Sequence, residues 1–84
     1  MSEPAPLTVY STPWCGFCTR LKRQLDASGV VYRDVDIDDD PVAAAYVMDV
    51  SGGSRTVPTV VFADGTALMN PPLKDVLARV KRVP

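Results

Sequence analysis

The sequence predicts an α/β domain: a mixed four-stranded sheet with helices on both faces, in the order β-α-β-α-β-β-α. Three observations lead there. The apolar residues switch along the chain between the two-residue period of strands and the 3.6-residue period of helices. The first two strand-like runs are separated by a helical one, which makes them parallel with a right-handed crossover. The last two are separated only by Asp64-Gly65, a hairpin signal that makes them antiparallel. A chain of 84 residues bounds this to one domain. Residues 7–84 are read as that domain and residues 1–6 as a short flexible arm.

Leu7-Thr8-Val9-Tyr10 alternates and is rich in β-formers, so it is the first strand. Ser11-Thr12-Pro13 breaks it. From Cys15 onward the spacing is helical, with Phe17, Leu21 and Leu25 on one stripe and Arg20, Lys22, Arg23 and Gln24 between them. Gly29 ends this helix as a residue of positive φ. Val30 to Ile37 is the second strand. Asp40-Pro41 starts the second helix with an acidic cap and a proline in its first turn. That helix continues to Val50, with Ala43, Val47 and Val50 on one stripe, and Ser51-Gly52-Gly53 stops it. Thr59 to Phe62 and Thr66 to Met69 are the third and fourth strands. Asn70-Pro71-Pro72 opens a last helix whose Leu73, Val76, Leu77 and Val80 recur at i, i+3, i+4 and i+7. This is the minimal thioredoxin-like architecture.

Composition narrows the function. A formal net charge of −1 gives no global reason to bind nucleic acid or an anionic membrane. The aspartates at 34, 36, 38, 39 and 40 read as a solvated strand end and loop. No run approaches the roughly 18 to 20 apolar residues of a membrane span. Met1 to Pro6 has neither a basic nor an apolar signal region, so the expected location is cytoplasmic. There are two cysteines and no histidine. Two cysteines three positions apart close too small a loop to staple a fold, which points to a reactive or metal-binding pair.

Cys15 follows a strand and a proline-containing loop and opens a helix. The unpaired N–H groups and the positive dipole end found there favour a thiolate over a thiol. The thiolate is the attacking species in disulfide exchange. Cys18, one turn on, can close a disulfide afterwards. Cys15 is therefore expected as an exposed nucleophile at the helix tip, and Cys18 as a resolving thiol further inside. Two other readings stay open: a pair of unrelated buried cysteines, and half of a zinc or iron–sulfur site. Such a site normally takes four protein ligands, so a dimer or an added thiol would have to complete it. The second informative segment is Thr56-Val57-Pro58-Thr59. A proline just before a strand, facing the first βα loop, is where a cis bond fits; it would turn the Val57 backbone toward Cys15, to pair with a substrate backbone. A trans proline merely starting the strand is the alternative.

Tyr10-Ser11-Thr12-Pro13-Trp14-Cys15-Gly16-Phe17-Cys18, Thr56-Val57-Pro58 and Asp64-Gly65 together resemble the glutaredoxin family of the thioredoxin superfamily, over nearly the whole chain. Trp14-Cys15-Gly16 also looks like thioredoxin. Trp14 to Cys18, Gly52-Gly53-Ser54-Arg55-Thr56-Val57-Pro58 and Phe62-Ala63-Asp64-Gly65 are similar to the mycoredoxin branch, which works with mycothiol. The resemblance implies that Cys15 attacks, Cys18 resolves and Pro58 is cis. It implies substrate contacts at Trp14, Phe17, Arg55, Thr56, Val57, Pro58, Met69 and Asn70. It also implies no bound cofactor and no metal, with mycothiol or another low-molecular-weight thiol as reducing co-substrate. Glutathione-using members usually have lysine at the place of Thr12, and Gly-Gly plus an acidic residue where this chain has Met69-Asn70-Pro71-Pro72. Both help hold glutathione's carboxylates, so their loss argues against glutathione and is compatible with mycothiol, a sugar-linked thiol without them, or with no small-thiol partner at all.

The expected activity is reduction of mixed disulfides between a small thiol and proteins, by a monomer. The alternative is a dithiol electron carrier fed by a thioredoxin reductase and serving, for example, ribonucleotide reductase. Carriers of that kind usually show a Trp-Ser-Gly-Phe-Arg stretch near the C-terminus, which is not found here. A non-catalytic metal-binding module is the third and weakest reading.

Overall fold

The computed structural model describes residues 7–79 in full and the backbone of residue 80. The arm expected at residues 1–6 lies outside that range. The elements are β1 (Leu7–Ser11), α1 (Gly16–Ala27), β2 (Arg33–Asp36), α2 (Pro41–Val50), β3 (Thr59–Phe62), β4 (Ala67–Met69) and α3 (Leu73–Val80). The sheet order is β2-β1-β3-β4. β1 runs parallel to β2, and β3 runs antiparallel to both β1 and β4. This is the thioredoxin-like α/β fold that the sequence predicts.

Strand alternation sorts the core onto two faces. Leu7 and Val9 of β1 and Val60 and Phe62 of β3 pack with Leu21 and Leu25 of α1 and Val76 of α3. On the other face, Tyr10 and Val35 lie against a cluster of Ile37, just after β2, with Ala43 and Val47 of α2. Val57 packs against this second cluster, so α2 supports the segment just before Pro58.

Local chemistry explains the element ends. Asp40 caps α2, its carboxylate accepting the Ala43 N–H at 3.1 Å with Pro41 following. Gly29, at φ +73, follows α1, and its N–H bonds the Asp26 carbonyl at 3.1 Å. Gly65, at φ +90, turns the β3–β4 hairpin, where its N–H meets the Phe62 carbonyl at 2.9 Å.

Several expectations need correction. β2 is only Arg33–Asp36, because Val30 bonds back to the Leu25 carbonyl at 3.1 Å and belongs to the exit from α1. Val30 and Tyr32 pack on the core from that connection, while Val31 is exposed. β1 continues through Ser11, which pairs with Asp36. β4 starts at Ala67, and α3 starts at Leu73, after both prolines. On α1 the buried stripe is Cys18, Leu21 and Leu25. Phe17 is 66% exposed; it stands in the first turn of the helix and lines a surface groove instead of the core.

Candidate active site

The sheet topology gathers one end of the molecule around the cysteines. β1 ends at Ser11 and leads into the loop to Cys15. Tyr10 pairs with Thr59, so Pro58 stands at that same end. Thr59 pairs with Met69, and the Asn70 N–H donates to the Pro58 carbonyl at 2.7 Å, so the start of the α3 connection joins it. Asn70 takes φ +45 there, a left-handed conformation that asparagine tolerates.

Cys15 is the N-cap of α1. Its Sγ accepts the Cys18 N–H at 3.3 Å, the place a serine or aspartate oxygen usually fills. The first turn of α1 contains no acidic residue to compete for that end. The Cys15 thiol also lies 3.9 Å from the Val57 carbonyl oxygen, within reach as a weak donor. The Val57–Pro58 bond is cis. Both cysteines are free thiols.

Cys15 was expected to be exposed, and this is corrected. It does sit at the helix tip but is only 7% exposed, against 0% for Cys18. Its N–H is tied back to the Thr12 carbonyl at 3.3 Å and its sulfur meets the Val57 carbonyl at 3.9 Å, contacts that shield it from solvent. Burial, and next a hydrogen bond to Cys15, push the Cys18 thiol up to about 12, while the Thr12 backbone and the charge of Lys22 pull it down. Cys18 is thus a neutral thiol at the bottom of the site.

Beside the cysteines lies a groove of about 320 Å³ lined by Phe17, Arg20, Leu21, Gln24, Pro58, Asn70, Pro71, Pro72 and Leu73. It carries a guanidinium, two amides and an apolar floor. On another side, the Trp14 indole N–H donates to Asp38 Oδ2 at 2.9 Å, and Arg55 Nη2 pairs with Asp38 Oδ1 at 3.3 Å. Of the expected contact residues, Phe17, Pro58 and Asn70 line the groove. Val57 faces Cys15, and Trp14 and Arg55 meet at Asp38. Thr56 anchors its own loop, its carbonyl accepting the Thr59 hydroxyl at 2.7 Å. Met69 is exposed and does not line the groove. Thr12 is buried, and its hydroxyl has no hydrogen-bond partner among the described residues.

Sequence reasoning missed Asp38, Gln24 and the pairing of Lys22. Lys22 Nζ binds Asp34 at 3.0 Å and reaches Ser11 Oγ at 3.4 Å, so it is not simply a solvated charge. The i, i+4 spacing of Arg20 and Gln24 was the only available signal for the groove wall on α1. Among the described residues no group of three or more histidine, cysteine, aspartate or glutamate side chains could hold a metal ion. Nor is any described helix long and apolar enough to cross a membrane.

The glutaredoxin family model matches residues 7–67. A Mycobacterium tuberculosis protein that carries a glutaredoxin name is 49% identical over 79 residues, covering 94% of each chain. Mycoredoxin 1 of Corynebacterium glutamicum is 40% identical over 75 residues, covering 89% of this chain and 92% of its own. Among solved structures, a glutaredoxin-like protein of Escherichia coli, NrdH-redoxin, superposes with a TM-score of 0.73 at 25% identity. It is described as having a thioredoxin-like activity profile, and the match covers 93% of this chain and 97% of that one. Members of this family act on protein mixed disulfides with a small thiol as co-substrate. With a Cys-X-X-Cys pair at the tip of α1 and a family match over most of its length, the chain belongs to the glutaredoxin family and is a thiol–disulfide oxidoreductase.

Proposed function

We propose that this oxidoreductase reduces mixed disulfides between proteins and mycothiol, with Cys15 as nucleophile and Cys18 as resolving thiol. The Cys15 thiolate attacks the small-thiol sulfur of the mixed disulfide. The protein thiolate leaves and takes up a proton, and the small thiol is now bonded to Cys15. A second small thiol, as its thiolate, attacks the sulfur of the bound one, forming the small-thiol disulfide and freeing Cys15. Alternatively, Cys18 attacks the Cys15 sulfur, forms the internal disulfide and releases the small thiol. An N–H from the helix end meets the Cys15 sulfur at 3.3 Å, which favours the negative charge it carries in attack.

One observation carries the choice of thiol. The position where glutathione users place a lysine holds Thr12, which is neutral and 2% exposed. It offers no cation to a carboxylate. The groove beside Phe17 presents Arg20, Gln24 and Asn70 over apolar walls, a lining suited to the hydroxyls of a sugar-linked thiol. The likeness to Mycoredoxin 1 points the same way. In this reading Trp14, Phe17, Arg55, Val57, Pro58 and Asn70 meet substrate, and the protein acts as a monomer in the reducing cytoplasm. The likeness to NrdH-redoxin favours a second reading, a dithiol carrier fed by thioredoxin reductase. The deciding experiment supplies the oxidised protein with mycothiol, glutathione or thioredoxin reductase, each with its recycling system. Mycothiol is expected to sustain the fastest turnover. Preference for glutathione would overturn the choice of thiol, and turnover only with the reductase would overturn the mechanism.

A further inference from the structure

We propose that Asp38 is a positioning residue of the exchange site: its carboxylate bridges the loop that carries Trp14 to the loop that carries Arg55 and fixes both as one wall of the cysteine cleft. Three elements converge on it. The Trp14 indole, next to Cys15, donates to Oδ2 at 2.9 Å. Arg55, three residues before Pro58, reaches Oδ1 at 3.3 Å. Asp38 is itself fixed from behind, because its N–H is held by the Asp36 carboxylate at 2.9 Å, a turn favoured by aspartate.

The bridge is not there for stability. Its ion pair is half-exposed, and such pairs contribute little to folding. Its effect is on order. Trp14 is 73% exposed, so without Asp38 its ring would sample several rotamers, and ordering it would cost free energy each time substrate bound. Asp38 takes up the polar edge of the indole and leaves its apolar face open beside Cys15. On the other side it pairs with Arg55, two residues before Val57, whose carbonyl faces the Cys15 sulfur. The neighbouring Asp39, in the same acidic run, has no side-chain partner among the described residues. It is therefore a natural control.

The inference rests on Trp14 and Arg55 meeting substrate, and the test has one arm that needs no substrate. Trp14 is the only tryptophan of the chain, so its fluorescence reports the bridge directly. In the reduced Asp38→Ala protein, fluorescence anisotropy should fall and acrylamide quenching should rise, with the urea midpoint unchanged. KM for a small-thiol mixed disulfide should rise about three- to fivefold with kcat little altered. Asp38→Asn, which can still accept the indole N–H, should keep the Trp14 signal near wild type and raise KM only in part. Asp39→Asn should match wild type in every readout. Unchanged anisotropy and quenching in Asp38→Ala would overturn the bridge, whatever the physiological thiol. A changed Trp14 signal with unchanged KM would overturn its role in positioning. Slow turnover with mycothiol in the wild-type protein would instead count against the choice of thiol, since the fluorescence arm does not depend on it.

Discussion

Cys15 and Cys18 are three residues apart in sequence and differ by environment more than by chemistry. Cys15 caps the helix and meets a carbonyl at the rim. Cys18 is fully buried, and burial holds its thiol up at about 12. Near neutral pH Cys18 is therefore held as a thiol, which slows its own attack as a thiolate. The raised value also has a consequence for stability. An unfolded cysteine ionises near about 8.5, whereas folded Cys18 holds its proton until about pH 12. Its contribution is thus present in full below about pH 8.5 and is lost as pH climbs toward the folded value. Urea midpoints of the reduced protein should fall more steeply between about pH 8 and about pH 11 than those of Cys18→Ser; parallel slopes would contradict the assignment. Both cysteines were legible from spacing and from the strand–proline–helix context. Asp38 was not, because five aspartates between 34 and 40 look alike in sequence. Only the fold decides which of them faces an indole.

At the scale of elements, legibility followed the strength of local signals. The second helix was read to its ends, because Asp40-Pro41 is a chemical start and Ser51-Gly52-Gly53 a stop. β3 was read without error for a similar reason, lying between Pro58 and the Asp64-Gly65 turn. β2 was overextended. Val30, Val31 and Tyr32 have strand-like side chains, but two of them serve the core from a connection, and a hydrophobic pattern does not distinguish the two uses. Phe17 has the spacing of the buried stripe, but in the first turn Cys18 takes the inward position and Phe17 lines the groove. The cap on α2 provides a quantitative check. Asp40→Ala removes the acceptor of the Ala43 N–H and should lower unfolding free energy by about 1 kcal/mol, measured by urea denaturation. Because Val47 and Ala43 help support Val57, turnover should fall modestly alongside. An unchanged urea midpoint would mean that the cap contributes nothing.

Over the whole molecule, three chain segments distant in sequence meet at one sheet end through register alone. Tyr10 pairs with Thr59, and Thr59 with Met69. The cysteine loop, Pro58 and Asn70 are therefore neighbours by construction. Sequence order gave the parallel and hairpin pairs, since each has its own connection rule. The proline before the third strand, facing the first βα loop, gave the meeting of Cys15 with Val57. The groove between α1 and the α3 connection had only the spacing of Arg20 and Gln24 as a sequence signal, as its walls are set by how distant segments pack. In this arrangement a small thiol bonded to Cys15 has an adjacent groove in which to lie, and Cys18 is buried beneath it. The proposed exchange requires Cys15 and can turn over without Cys18, and single-cysteine variants test this most directly. Against a mycothiol mixed disulfide with mycothiol as reductant, Cys18→Ser should keep turnover within about tenfold of wild type, and Cys15→Ser should lose it by about 10³-fold or more. A folded Cys18→Ser protein as inactive as Cys15→Ser would contradict the account and assign the protein to dithiol electron transfer.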